Sequence, residues 1–397
     1  MKPYKEILLR PGKEASLQRF HPWVFSGAIA RKPEDLTEGE TVRVLASDGS
    51  FLGVGHFQIG SITVRILSFL DEPVDTVFYE RSLANAYKMR KELNLVRADN
   101  NIFRLVHGEG DFLPGLIIDI YGDTAVIQAH SVGIHRDLGF VTGALKQMLP
   151  DGSVKHIFYK SEGTLPYKAG IFPEDSYLSG GSDVNEIAVE NGLRFRIDWL
   201  KGQKTGFFVD QRENRALLEH YARNRHVLNM FCYTGGFSVY ALRGGATTVE
   251  SVDSSSKAVS ITDQNVTLNF GDDSRHHSSP EDAFKFLKQL SRGEKDLIIL
   301  DPPAFAKHRG AINNALQGYK KLNLLALEKI APGGFLFTFS CSQVISGEQF
   351  RLAVFSAAAI SGRKVRILHQ LTQPADHPIN IYHPEGEYLK GLVLQIE

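Results

Sequence analysis

The chain has 397 residues, room for two or three domains, and its 43% hydrophobic and 23% charged content is that of an ordinary soluble globular protein. Forty-five Lys and Arg balance 45 Asp and Glu, so a nucleic-acid partner gains nothing from overall charge and must be held by a local patch. Two cysteines argue against a disulfide framework or a Cys-rich metal site, and no apolar run is long enough to span a bilayer. The opening Met1-Lys2-Pro3-Tyr4-Lys5-Glu6 lacks the apolar core of a signal peptide, so a reduced, cytoplasmic setting is expected.

Residues 1–72 hold short strand-like runs, Glu6–Leu9, Thr41–Leu45, Phe51–Gly55 and Ile62–Leu67, parted by turns such as Pro11-Gly12 and Asp48-Gly49. That spacing predicts a small β-barrel. A helix follows, with Asp75 as its N-cap. Leu83, Ala86, Tyr87 and Leu93 recur along it at helical spacing, with Lys88, Arg90 and Lys91 mostly between them. Leu116–Tyr121 and Thr124–Gln128 meet across Gly122-Asp123 as a hairpin. A helix near 134–149 and a strand over Lys155–Tyr159 complete a small α+β unit, and Glu162 to Ser182 reads as loop.

From about 186 the pattern changes. A hairpin turned by Asn191-Gly192 leads into apolar runs at His226–Phe231, Thr248–Val252, Asp296–Leu300 and Gly334–Phe339, separated by helices starting at Ser238, near 255 and near 316. Strands alternating with helices predict a parallel, doubly wound sheet. Ligands of such sheets bind beyond the carboxyl ends of the strands, which is where several polar motifs fall.

Cys232-Tyr233-Thr234-Gly235-Gly236 is a strand-to-helix turn whose glycines let a nucleotide-like ligand approach the backbone. It is not Gly-x-Gly-x-x-Gly, so a dinucleotide is not favoured. Asp253, after the next strand, suits two ribose hydroxyls, or else caps the following helix. Asp282 can accept from an adenine amine or cap a helix, and the polar Arg275–Ser279 before it makes a poor strand. Asp301-Pro302-Pro303 sets a rigid acid just past a strand, suited to a flat base. Ser340-Cys341-Ser342 brings a thiol to the same sheet edge, while Cys232 reads as structural. Lys204–Asn214, containing Thr205, Phe207 and Gln211, fits a wall over a cofactor or an aromatic staple on the sheet. The adjacent His276 and His277 read as surface polar residues, and no metal site is expected.

Taken together with Arg19–Ile29, Gly108–Leu116, Ala375–Pro378 and Glu385–Gly391, these motifs resemble, over nearly the whole chain, one family. It comprises the class I S-adenosylmethionine-dependent ribosomal RNA methyltransferases that make 5-methylcytosine in large-subunit rRNA and carry an N-terminal PUA domain. The resemblance implies an α/β architecture in three parts. These are a PUA β-barrel over 1–72, a strand-strand-helix-strand-strand domain over 73–183, and a Rossmann-like methyltransferase domain over 184–397. It implies S-adenosylmethionine as cofactor, with Phe207, Gln211, Tyr233, Gly235, Asp253 and Asp282 lining its site and Thr205, Asp301 and Pro302 adjoining. It implies Cys341 as nucleophile with Asp301 as its partner on the base, and large-subunit rRNA as substrate; members of the family are often homodimers, and the sequence leaves the oligomeric state open.

The chemistry requires a thiol. C5 of cytosine is too electron-poor to take a methyl group directly, and a thiolate adding to C6 makes it nucleophilic. Related enzymes often carry a second cysteine after the Asp-Pro-Pro segment; here Pro303 and Ala304 stand there, so the base that removes the C5 proton is not assigned. A target in a helix must be flipped out. Trp23 and Phe25 with Arg19, Arg31 and Lys32 are candidates for an RNA-facing surface, or for a barrel core with a solvated rim. Two other readings stay open: an RNA N-methyltransferase that needs no thiol, and a non-catalytic RNA-binding assembly factor.

Overall fold

In the computed structural model, residues 4–148, 153–166 and 169–397 are described; the end of the expected 134–149 helix and residues 167–168 of the expected loop lie outside them. The chain divides into two units. One takes Met1–Val189, Ile197–Val209 and Ala375–Gly386; the other takes Glu190–Arg196, Asp210–Pro374 and Glu387–Glu397.

In the first unit the four expected N-terminal strands are joined by two short ones, Trp23–Phe25 and Ile29–Arg31. These two are the edges of a six-stranded mixed sheet. Only the turn Ser26–Ala28 separates them in sequence, so the sheet curls until its edges come close, as in a barrel. Ile7, Leu9, Val24, Val42, Val44 and Val64 fill its interior.

Asp75 caps the helix Thr76–Glu92 by accepting from the Phe78 amide at 3.1 Å. Phe78, Tyr79, Leu83 and Ala86 are its buried face, packed against a five-stranded sheet and the helix Leu138–Met148. Arg90 does not share the solvent side with Lys88 and Lys91: it is wholly buried. Its guanidinium grips Asp111 at 2.5 and 2.7 Å and donates to the carbonyls of Arg104 and Asp376 at 2.8 Å each, which offsets the cost of burying the charge.

The five-stranded sheet runs Ser176–Ser179, His156–Tyr159, Thr124–Ala129, Leu116–Tyr121, Ile102–His107. Its strand-strand-helix-strand-strand order is present, with Ile102–His107 as one further strand ahead. Ser176–Ser179 lies within the segment expected to be loop. Gly122, at φ +60, turns the central hairpin.

The second unit is built on a seven-stranded sheet in the order His276–Pro280, Thr248–Asp253, His226–Met230, Leu297–Leu300, Phe335–Ser340, Lys390–Ile396, Val365–Leu371. The first five are parallel, and Lys390–Ile396 runs antiparallel to both of its neighbours, Phe335–Ser340 and Val365–Leu371. The central strand, Leu297–Leu300, is wholly apolar and buried, as a strand covered on both faces must be. His226–Met230 has its successor Thr248–Asp253 on one side and Leu297–Leu300 on the other, so the strand order reverses there. His276–Pro280 is a strand despite its polarity because it is the sheet's edge, where only one partner is needed. His276 Nε2 lies 2.8 Å from Ser251 Oγ. Among the described residues no helix is long and apolar enough to cross a membrane.

Candidate active site

The reversal point of the sheet gathers the turn after His226–Met230, the end of Thr248–Asp253, and the loops after Leu297–Leu300 and Phe335–Ser340. In the first turn, Phe231, Tyr233 and Gly235 all take left-handed backbone, at φ +58, +48 and +78. Two bulky L-residues there are strained, and surrounding side chains hold them. The Tyr233 amide donates to Asp253 Oδ2 at 3.0 Å. Thr262 Oγ1 donates to the Tyr233 carbonyl at 2.9 Å, and Asn265 Nδ2 to the Thr234 carbonyl at 2.8 Å. A Cβ at Gly235 would lie 2.5 Å from Thr262 Cγ2, so the turn requires glycine both for its φ and for its space.

Asp253 is not the cap of the following helix. Ser255 is, accepting from the Ala258 amide at 3.2 Å. The Asp253 carboxylate takes the Tyr233 and Ser255 amides, the latter at 2.9 Å. A carboxylate offers about four acceptor sites, which leaves capacity toward a diol. Asp282 does cap its helix, Ala283–Gln289, accepting from the Lys285 amide at 2.9 Å.

Asp301 directly follows Leu297–Leu300. Gln211 Nε2 donates to its Oδ2 at 3.0 Å, and Asn214 Nδ2 fixes Gln211 by donating to Oε1 at 2.6 Å. Burial first, and then repulsion from the Asp210 carboxylate, pushes Asp301 up to about 7, against the opposing effects of Gln211 and Arg215. The residue keeps a partly exposed edge, yet its carboxyl is closely surrounded by protein, and burial is the cause to weigh. Asp210 itself accepts from Tyr388 Oη at 2.8 Å.

Cys341 is half-buried, and its Sγ donates to the Pro302 carbonyl at 3.9 Å. The thiol and the Asp-Pro-Pro segment are therefore neighbours, as the sequence suggested. A hydroxyl cluster ties the two loops: Ser340 Oγ donates to Tyr319 Oη at 2.9 Å, Tyr319 Oη meets Ser342 Oγ at 3.0 Å, and Ser342 Oγ accepts from the Ala306 amide at 3.3 Å. Cys232 is buried, with Sγ 3.8 Å from both the Tyr233 carbonyl and Thr262 Oγ1, and burial pushes its thiol up to about 12.

Thr205 and Phe207 belong to the first unit. Thr205 Oγ1 donates to Asp119 Oδ2 at 2.6 Å and lies 2.9 Å from Tyr121 Oη, so it pins its loop to the Leu116–Tyr121 strand. In the same unit the candidate RNA-facing residues divide. Trp23 donates through Nε1 to Glu109 at 2.9 Å, with its ring against Arg65 and His383, and so belongs to the packing. Phe25, Arg19, Arg31 and Lys32 are exposed. Sequence reading gave no role to Asp210, Asn214, Tyr319 or Lys390; the readable signal was a lysine opening the run Lys390–Ile396, in which Gln395 is the one other polar residue.

A model of S-adenosylmethionine-dependent methyltransferases matches residues 170–383. The chain belongs to that family. A PUA-like domain model matches residues 7–69 of the methyltransferase. The methyltransferase is 41% identical over 395 residues to the ribosomal RNA large subunit methyltransferase I of Tolumonas auensis, and 38% identical over 395 residues to that of Alteromonas mediterranea, with 98% of both chains covered in each case. Its fold matches a solved S-adenosylmethionine-dependent methyltransferase from Streptococcus mutans with a TM-score of 0.82 at 22% identity. The match covers 98% of this chain and 100% of that one. A methyltransferase solved with SAH gives 0.83 at the same identity and coverage. The site fits the family's cofactor on its own terms: Asp253 retains acceptor capacity for a ribose, and the mutually repelling Asp210 and Asp301 complement a cationic sulfonium.

Proposed function

We propose that this methyltransferase makes 5-methylcytosine in large-subunit ribosomal RNA through a covalent adduct between Cys341 and C6 of the base. The observation that carries this reading is the proximity of the Cys341 thiol to the Asp301-Pro302-Pro303 segment. An N-methyltransferase has no need of such a thiol. The substrate class rests on the names of relatives matched along nearly their whole length.

Bound S-adenosylmethionine supplies an electrophilic methyl group. Tyr233, Gly235 and Asp253 would hold its nucleoside, Asp282 would serve its adenine, and Gln211, Asp301 and Pro302 would line the side toward the base; Thr205 would position the loop that carries Phe207. The Cys341 thiolate adds to C6 and C5 takes the methyl group. Loss of the C5 proton to a base then expels the thiolate and restores the ring. Asp301, poised near neutrality, hydrogen-bonds N3 or the exocyclic amine and steadies the charge that builds there. The exposed Phe25, Arg19, Arg31 and Lys32 contribute to RNA binding from the PUA-like part, the enzyme works as a homodimer, and it acts in the cytoplasm.

The test incubates the enzyme with labelled S-adenosylmethionine and unmodified rRNA and identifies the methylated nucleoside by digestion and mass spectrometry. The expected product is 5-methylcytidine, absent with Cys341→Ala. Another methylated nucleoside, or an active Cys341→Ala variant, overturns the reading in favour of N-methylation without a thiol. No methylation by an enzyme that binds no S-adenosylmethionine would favour an assembly factor.

A further inference from the structure

Lys390 opens the strand Lys390–Ile396, and the antiparallel register sets it opposite Ser340, the residue before Cys341. Its side chain is buried, and its ammonium Nζ donates to the carbonyls of Ser342 at 2.8 Å and Tyr388 at 2.7 Å. Buried lysines are rare unless paired with an opposite charge. Both of these partners are neutral, so they orient the ammonium without cancelling its charge. They also anchor it to the residue that follows Cys341.

We propose that Lys390 is a positioning residue for Cys341, its carbonyl-anchored ammonium stabilising the thiolate that attacks the base. The inference rests on the reading of Cys341 as nucleophile. In the balanced step the Cys341 Sγ–H bond breaks, the proton passes to solvent, and the thiolate is left with a cation already anchored to the carbonyl of the next residue, Ser342. A neighbouring lysine is one of the recognised ways of lowering a thiol pKa.

The surrounding groups agree. Burial pushes Lys390 down to about 8, against the charges of Cys341 and then of the exposed Glu387, which favour the ammonium. The Tyr319 hydroxyl, bonded to Ser340 and Ser342 on either side of Cys341, has a pKa raised first by burial and also by the cysteine's charge. Tyr319 therefore stays neutral near physiological pH and does not compete for the cation. This gives Lys390 a purpose that its hydrogen bonds alone do not explain, since a neutral amide would satisfy both carbonyls.

The test uses full-length protein, alkylated with iodoacetamide from neutral to alkaline pH, with Cys341 and Cys232 separated by peptide mass spectrometry. Lys390→Gln keeps a donor for the carbonyls but no charge, and Lys390→Arg keeps the charge. The expected result is an alkylation profile for Cys341 moved up by about one pH unit in Lys390→Gln, about tenfold slower near neutrality, and restored in Lys390→Arg. S-adenosylmethionine affinity and thermal melting of both variants establish that they are folded. Overlapping profiles for wild type and a folded Lys390→Gln overturn the proposal, even if that variant has lost activity. A Cys341→Ala enzyme that still makes 5-methylcytidine would instead remove the nucleophile reading and leave the alkylation profile as an independent fact about the thiol.

Discussion

Asp301 couples the chemistry of the site to the stability of the fold. Its pKa rises from the ordinary 3.8 to about 7 on folding, so the native state holds this proton more tightly than the unfolded chain does. The stabilisation that comes with protonation is fully present below the unfolded pKa and is lost as pH climbs from about 4 through about 7. Asp301→Asn removes the titration, and Gln211 can still donate to the amide oxygen. Denaturant midpoints measured against pH are therefore expected to fall less across that window in Asp301→Asn than in wild type. Methyl transfer by the same variant should drop by about a hundredfold or more, as expected when a group that manages charge in the transition state is lost. A variant with full activity, or an unchanged pH slope, would contradict the assignment. The two cysteines show how burial sorts identical groups. Cys232, held near 12, stays a thiol at any physiological pH, whereas Cys341 stands half-buried at the sheet edge.

The elements that carry the site were largely legible in the sequence. Leu297–Leu300 is uniformly apolar because both faces are covered, Phe335–Ser340 is apolar but for Thr338 and the closing Ser340, and each is followed by polar residues, so Asp301 and Cys341 could be placed at one edge before any contact was known. Trp23–Phe25 and Ile29–Arg31 were not legible, because three residues are too few to display a period. His276–Pro280 was obscured for another reason: an edge strand with a half-solvated face need not be apolar. Lys390–Ile396 has a clear apolar run, but its insertion between Phe335–Ser340 and Val365–Leu371 is set by pairing that no local pattern encodes. The Asp253 cap was ambiguous in sequence because Asp and Ser are both good caps and sit two residues apart. The strand-to-helix turn supplies a test at this scale. Gly235→Ala adds a Cβ against Thr262 at a positive φ and should destabilise the protein by about 1–3 kcal/mol. Equilibrium unfolding measures that cost, and calorimetry should show weakened S-adenosylmethionine binding. A neutral outcome in both would mean that the turn relaxes easily.

The whole chain is interleaved. It passes between its two units at 189/190, 196/197, 209/210, 374/375 and 386/387, so a cut at residue 183, natural from the sequence alone, does not separate two self-sufficient pieces. Expressed alone, 184–397 would lack the first-unit partners of two of its own segments. Thr205 would lose Asp119, and Asp376 would lose the Arg104 amide, which it holds at 3.0 Å, and the Arg90 guanidinium. Limited proteolysis should therefore cleave the fragment first within 197–209 and 375–386, segments that resist in the full-length protein; equal resistance in both would show that the fragment is autonomous. The same interleaving governs synthesis. Arg104 and Asp376 are 272 positions apart, so the first unit, although most of it is made early, waits for residues 375–386 to leave the ribosome before it can close. A nascent chain stalled short of residue 375 carries Arg90 and Asp111 with part of their network missing, so the first unit acquires its last polar contacts long after its own strands have been made.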